Sequence, residues 1–390
     1  MRQHNLKKCL CLFLAAVMLL TLLVGCSGNG DDNGTVPDAP DNTPDDTIAQ
    51  PVQSDTPGTN DEVAGIRLQT VMIEIEGAPP VLWEEFFYDL WSVAGSLMQL
   101  GGPPDWDAPL EFGPFDESVS YSEFVLRIAT ELALSRRAIG ILYAEIPTIH
   151  WGDNYEDIRT AEMERQGWTE AEFAASLWEH HRITENAFAY VNVSMGRRAA
   201  LLQALYGEHG DETPDEVVAL YAAEHDIVRA KHILFSTDAE FNDARAPETA
   251  GVRAAEVYEY LQTLSGAELL TRFDELMLEH GEDPGMEAHP DGYVFGPGSM
   301  TDAFFEGTLE IDAGTISEPI QTEFGYHIIL RLPVLPTDEL MGSALGPGGP
   351  LSQRAALFDF DRRIEVIASS LQYAFTAYYD QIDLNLVVVS

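Results

Sequence analysis

The sequence predicts an α+β chain in which a helical region precedes a compact mixed domain and a long terminal helix follows it. Three observations carry this. From about 64 to 225, apolar residues recur mostly every three or four positions, the helical period. From 226 to 332, strand-like and helix-like runs follow in the order β-α-α-β-α-β-β, which makes one sheet with helices packed on it. From 351 to 380, Leu357, Phe360, Ile364, Ile367, Leu371 and Phe375 repeat at three- and four-residue spacings. The length of 390 residues allows two to three ordinary domains.

Charge narrows the functions open to such a chain. It holds 65 Asp and Glu against 21 Lys and Arg, for a formal net charge of −44. Only Lys7, Lys8 and Lys231 are lysines. Nucleic-acid binding needs a basic surface and is excluded as the main activity. A hydrophobic fraction of 45% marks the chain as globular, not as a disordered acidic polymer.

The first element is an address. Arg2, Lys7 and Lys8 precede an apolar run from Cys9 to Val24, the pattern of a secretory signal over residues 1–25. It ends Leu23-Val24-Gly25-Cys26, which resembles a bacterial lipobox and predicts a lipidated Cys26. Cleavage there removes Cys9 and Cys11 and leaves one blocked cysteine, so cysteine catalysis and disulfides are excluded. Residues 26–62 are rich in Gly, Asp, Asn, Pro and Thr and read as a disordered acidic tether.

Residues 63–225 open on a short strand over 68–75 and a turn at Gly77-Ala78-Pro79-Pro80. A helix over 81–100 carries Trp83, Phe86, Phe87, Leu90, Trp91 and Leu97, and Gly101-Gly102-Pro103-Pro104 stops it. Further helices are expected over 118–146, 156–166, 169–190, 194–206 and 214–225, with Thr169 and Glu172 at capping-box spacing. The aromatic cluster at 83–91 serves either as core or as a cradle for unfolded chains. Glu179-His180-His181 lacks the i, i+4 histidine spacing of helical metal sites, so no metal is expected.

Residues 226–333 begin with the β-prone run 227–235, continue through helices over 248–264 and 267–280 and a turn-rich 281–290, and add a strand at 292–295. A helix over 300–309 and strands at 317–321 and 325–332 complete the unit. Residues 334–390 form a Gly/Pro-rich linker and a C-terminal helix. A helix of that kind is not stable alone, and the helical region is the place for it to pack. The tail 384–389 is expected to add an edge strand.

Four motifs in the mixed domain carry a resemblance. They are Ala230-Lys231-His232-Ile233-Leu234, Glu279-His280-Gly281-Glu282-Asp283-Pro284-Gly285, Phe295-Gly296-Pro297-Gly298-Ser299-Met300 with Phe304 beyond it, and Gly314-Thr315-Ile316-Ser317-Glu318-Pro319 running on through Thr322 to Gly325-Tyr326-His327-Ile328-Ile329. In this order they resemble the parvulin family of peptidyl-prolyl isomerases. The whole arrangement resembles extracytoplasmic foldases of the PrsA and SurA type. At 289–295 the chain departs from the family's G-G-D-L-G, and Tyr293 is the expected substitute for the family's pocket leucine.

The resemblance implies non-covalent X-Pro isomerisation with no cofactor. It implies that His232 and His327 pair on adjacent strands and share a hydrogen-bond network with Thr322, that Asp283 lies beside the substrate carbonyl, and that Met300, Phe304 and Tyr293 line the proline pocket. Other roles stay open at each position: the histidines as a pair holding the sheet, Asp283 as a solvated turn residue, Met300 and Phe304 as core. Phe324 and Tyr326 are expected to pack. The expected partners are unfolded or partly folded secreted polypeptides with X-Pro bonds, outside the bacterial membrane to which Cys26 would anchor the chain; a homodimer is allowed. The alternative is a holdase chaperone whose mixed domain binds peptide without catalysis. No basic pair follows Phe235, so phosphate-dependent selection is not expected.

Overall fold

The computed structural model describes residues 62–101, 105–110, 119–149, 152, 155–181, 183–238, 249–341 and 349–389. Cys26, the leader and the tether up to residue 61 lie outside the described residues, as do residues 342–348 of the linker; Glu62, read as the end of the tether, instead begins a strand. The chain divides into two compact units, one made of Met1–Ala200 with Ile364–Ser390 and one of Leu201–Arg363. No helix among the described residues is long and apolar enough to cross a membrane.

The first unit opens with a two-stranded hairpin, β1 (Glu62–Val63) and β2 (Ile66–Arg67). The strand read from the sequence is β3 (Val71–Ile75), whose alternation buries Ile73 and Ile75 on one face. It is the centre of a sheet. On one side lies β4 (Val81–Leu82) and on the other β9 (Tyr373–Phe375), both antiparallel to it. Long-range pairing with β9 is invisible to local periodicity, so the expected helix over 351–380 is cut short. It ends as α11 (Leu351–Ser370), and the chain turns into β9. The expected edge strand at 384–389 is instead a helix, α12 (Leu384–Val389), with Leu384 and Val387 three residues apart in the core.

Helix α1 (Trp83–Gly101) buries Trp83, Phe86, Phe87 and Leu90. These aromatics are core and line no cradle. Helix α2 (Tyr121–Glu145) starts with a reciprocal capping box between Ser120 and Glu123. Then come α3 (Tyr155–Gln166), α4 (Glu170–His181) and α5 (Glu185–Tyr206). The expected single helix over 169–190 breaks near Thr184, whose hydroxyl accepts from Ala187 N–H at 3.0 Å and caps a new helix. The Thr169–Glu172 capping bonds form as read.

The second unit is built on a four-stranded antiparallel sheet in the order β6-β5-β8-β7. Its strands are β5 (Val228–Ser236), β6 (Tyr293–Phe295), β7 (Ile320–Thr322) and β8 (Gly325–Leu332). Helices α7 (Ala250–Leu261) and α8 (Gly266–His280) cover one face. There Ile233, Phe235 and Ile328 meet Ala254 and Phe273 in the core. The turn-rich stretch after α8 holds a short helix, α9 (Pro284–Ala288), and α10 (Asp302–Leu309) crosses the other face. Helix α6 (Asp215–Glu224) also belongs to this unit. Its Val218, Tyr221 and Ala222 form a side core with Ile227, Val294, Leu351 and Ala355.

One glycine decides the β5–β8 junction. Gly325 has φ +141°, and a Cβ there would lie 2.2 Å from the carbonyl oxygen of Phe235. Strand β8 can pair with Ser236 only because that position has no side chain. We expect Gly325→Ala to destabilise the second unit by about 2 kcal/mol or more, the scale of a strained backbone position. A urea midpoint unchanged from the parent chain would contradict this.

Candidate active site

The site grows from the period-two alternation of β5 and β8. His232 and Leu234 point to the α10 face, while Ile233 and Phe235 point to α7 and α8. His232 lies opposite Ile329, and His327 opposite Leu234, so the two histidines are diagonal neighbours on one face of the sheet. Their Nδ1 atoms are 2.9 Å apart. Phe304 of α10 sets its ring nearly perpendicular to both imidazoles, with centroids at 5.1 and 5.3 Å, and is itself 4% exposed.

Both ends of this pair are held. His232 Nε2 lies 2.8 Å from Asp283 Oδ2, and His327 Nε2 lies 2.7 Å from Thr322 Oγ1. Asp283 is the N-cap of α9, accepting Gly285 N–H at 3.0 Å with Pro284 following it. Its Oδ2 also accepts the Tyr293 hydroxyl at 2.8 Å. The turn that carries Asp283 is itself pinned, since Glu282 N–H donates to Leu234 O at 3.0 Å. The Glu282 carboxylate accepts from Ser236 N–H at 2.7 Å and from the Arg253 guanidinium at 2.6 Å.

These partners dictate the protons. Burial alone would raise the Asp283 carboxyl, but hydrogen bonds from His232, Gly285 and Tyr293 hold it at about 2. It is therefore a carboxylate, and His232 Nε2–H donates to it. Burial first, and the neighbouring His232 second, push His327 down to about 3, so it is neutral near pH 7. The bonds form one line: Phe324 N–H donates to Thr322 Oγ1 at 3.2 Å, Thr322 Oγ1 meets His327 Nε2, His327 Nδ1 meets His232 Nδ1, and His232 Nε2–H donates to Asp283. Burial and the Asp283 carboxylate raise the Tyr293 phenol, which stays protonated as a donor.

The structure thus brings together His232, His327, Thr322, Asp283, Tyr293 and Phe304. Met300 is partly buried against the same core. Tyr293 differs from its expected part as a pocket wall: it is almost fully buried and directs its hydroxyl at Asp283. A Cβ on Gly285 would fall 1.9 Å from that oxygen. Phe324 does not pack as expected. It sits in the β7–β8 turn and is 54% exposed, whereas Tyr326 packs on the core beside Gly251. Sequence reasoning missed Glu282 and Arg253 as the clamp on the Asp283 turn; only the position of Glu282 next to an Asp-Pro-Gly turn hinted at it.

Residues 232–332 match the rotamase family, the PPIC-type PPIase domain. Among relatives, the foldase protein PrsA of Oceanobacillus iheyensis is 27% identical over 200 residues, covering 49% of this chain and 58% of that protein. The chaperone SurA of Chromohalobacter salexigens is 32% identical over 104 residues, covering 26% of this chain and 21% of that protein. The crystal structure of PrsA from Bacillus anthracis aligns with 65% of this chain and 92% of that one, at 17% identity and a TM-score of 0.22. The sequence matches thus span from about a fifth to three-fifths of these relatives' length.

Two outcomes follow from the protonation pattern. His327 has a folded pKa below its usual 6.5, so its share of stability is intact above pH 6.5 and is lost as pH falls toward 3. Each unit of pH below 6.5 costs up to about 1.4 kcal/mol. Asp283 adds a loss of about 2 kcal/mol between its ordinary value of 3.8 and about 2. We expect the urea midpoint to fall between pH 6.5 and 4.5 and His327→Asn to flatten that slope; an unaltered slope would contradict the neutral His327. We also expect Tyr293→Phe to raise the Asp283 carboxyl above about 2 in a carbon-13 NMR titration.

Proposed function

From a chain whose residues 232–332 belong to the PPIC-type PPIase family, we infer a peptidyl-prolyl cis-trans isomerase that acts on unfolded secreted polypeptides as a foldase. The observation that carries this is the completed hydrogen-bond chain from Thr322 through both histidines to an anionic Asp283, with Phe304 against it.

The reaction needs no nucleophile, metal or cofactor. Rotation about the X-Pro bond faces a barrier of about 18–20 kcal/mol because the planar amide is resonance-stabilised. Conjugation places partial negative charge on the carbonyl oxygen and is lost as the bond twists. A carboxylate fixed beside that oxygen raises the planar form more than the twisted one, which is the differential binding that accelerates a step. Asp283 suits this role, being ionised and held by three donors that prevent it from turning away. His232 and His327 act as positioning residues that keep the charge on Asp283 and fix its direction. Met300 and the edge of Phe304 offer apolar contact to the pyrrolidine ring, and Tyr293 holds Asp283.

The lipobox-like quartet ending in Cys26 supports attachment to the outer face of a bacterial membrane by an N-terminal lipid. One alkyl chain binds only marginally, so several chains on Cys26 are required. The competing reading is a holdase in which the domain binds peptide and does not catalyse. The intact network favours catalysis, because a peptide-binding module has no need of a fixed carboxylate beside a buried histidine pair.

The test is a protease-coupled assay of a short X-Pro peptide with the full chain. We expect Asp283→Ala and Met300→Ala each to lower kcat/KM at least tenfold, roughly 1.4 kcal/mol of transition-state stabilisation. A folded parent chain without acceleration would overturn the isomerase reading. If the chain then still suppressed client aggregation, the holdase reading would replace it. Cys26→Ser is expected to release the protein from membranes, and unchanged fractionation would exclude the lipid anchor.

A further inference from the structure

The first unit carries a surface that the isomerase reading does not use. Strand β9 is an edge: among the described residues β3 pairs with one side of it and no strand pairs with the other. The register fixes which backbone groups face outward. Thr376 N–H donates to Met72 O and Glu76 N–H to Gln372 O, so the hydrogen-bonded pairs are the even positions of β9, including Ala374 with Glu74. The N–H and C=O groups of Tyr373 and Phe375 therefore point away from β3, to the open side.

The side chains at those two positions are also exposed, Tyr373 at 45% and Phe375 at 46%. Both lie on the face of Ile73 and Ile75, which are buried. Phe375 stacks on Tyr379 at 3.9 Å, and Tyr379 meets the buried Phe86 at 5.6 Å. The exposed aromatics are thus anchored to the core and stand rigidly beside the open edge. Natural sheets usually guard such an edge with lysine, proline or a bulge. Here Tyr-Ala-Phe has none of these.

Charge selects the occupant. The segment 364–390 contains no Lys, Arg or His and carries Glu365, Asp380 and Asp383. Asp380 lies close enough to Tyr379 to help raise its phenol, though burial is the larger cause. A second copy of this chain would bring the same acids to the same edge, and each copy has a net charge of −44. An extended segment rich in basic residues gains where a second copy is repelled.

We propose that the open edge of β9, with Tyr373 and Phe375, binds an extended basic polypeptide segment by strand addition. The backbone of the segment pairs with the outward groups of Tyr373 and Phe375, its apolar side chains lie on the two rings, and its lysines or arginines meet the acids around them. This site is separate from the prolyl site and does not depend on it.

The probe is a fluorescein-labelled hexapeptide of alternating lysine and valine, titrated with the full chain and read by anisotropy. We expect binding that weakens with salt, and a loss of about tenfold or more when valine amides are N-methylated or when lysine is replaced by glutamate. Phe375→Pro removes an outward donor and a ring, and a similar loss is expected with isomerisation of a short X-Pro peptide unchanged. Should Phe375→Pro fail to fold by circular dichroism, the N-methylated peptide on the parent chain decides alone. Equal affinity for methylated and unmodified peptide would overturn the proposal. So would a dimer in sedimentation that Phe375→Pro abolishes, since the edge would then serve a second copy. If the chain binds the probe and isomerises nothing, the isomerase reading fails and this one stands.

Discussion

Two imidazoles placed side by side in the interior of a sheet can persist only if every nitrogen has a partner of the correct kind. This constraint organises the second unit. A buried polar group without a partner costs about 1–3 kcal/mol, and a network of such groups is stable only when complete. His232 and His327 each have two ring nitrogens, and the four are matched by Asp283, by each other and by Thr322. Because the partners form a line, the state of each proton follows from the state of its neighbour. An ionised Asp283 at one end and a hydroxyl at the other leave no ring nitrogen without a partner.

The surrounding fold supplies the ends of that line. Thr322 and His327 face each other across the β7–β8 turn, a separation of five residues, so one end is local. Asp283 is 51 residues from His232 and must be delivered by a helix and its cap. The α8–α9 turn manages this through Glu282, which bonds the end of β5, and through Gly285, whose missing side chain makes room for the Tyr293 hydroxyl. Gly325 lets β8 approach Ser236 closely enough to keep the histidines in register. The carboxylate is thus fixed on three sides before any ligand arrives.

Much of this was legible in the sequence because the mixed domain is built from local rules. The β-prone run 227–235 and the strand expected at 325–332 match β5 and β8, and the resemblance implied both histidines on adjacent strands, whereas the turn-rich 281–290 gave no sign of the short helix that Asp283 caps. Less legible were features set by pairing over long distance. β9 joins β3 from about 300 residues away, as the 305-residue span of the Thr376–Val71 bond records, and nothing in a window of fifteen residues announces it. The same pairing explains why the helix expected to run to 380 stops at Ser370. The resemblance implies Tyr293 in place of the family's pocket leucine, and nothing in the sequence shows that its hydroxyl donates to Asp283. That role depends on the absence of a side chain at Gly285, eight residues away.

The few cations of this acidic chain are divided between half-buried ion pairs and the surface. Arg136 reaches Asp89 at 2.9 Å and Arg137 reaches Glu85 at 2.6 Å, inside the first unit. Arg229, Lys231 and Arg253 are bound to Asp338, Asp274 and Glu282 in the second. In these five pairs the basic side chain is between 10% and 24% exposed, whereas Arg127, Arg165, Arg272 and Arg363 are 41% to 66% exposed and lie at the surface. With 65 acids against 21 basic residues, the surface carries a large excess of negative charge. Such a surface repels its own kind and concentrates cationic chains around it, an effect that fades beyond about 10 Å in 0.1 M salt. The field therefore cannot steer a polypeptide from afar in salt. It acts only on groups already close to the surface, where it favours basic sequence over acidic, so any contact that holds a chain there must come from apolar and backbone groups.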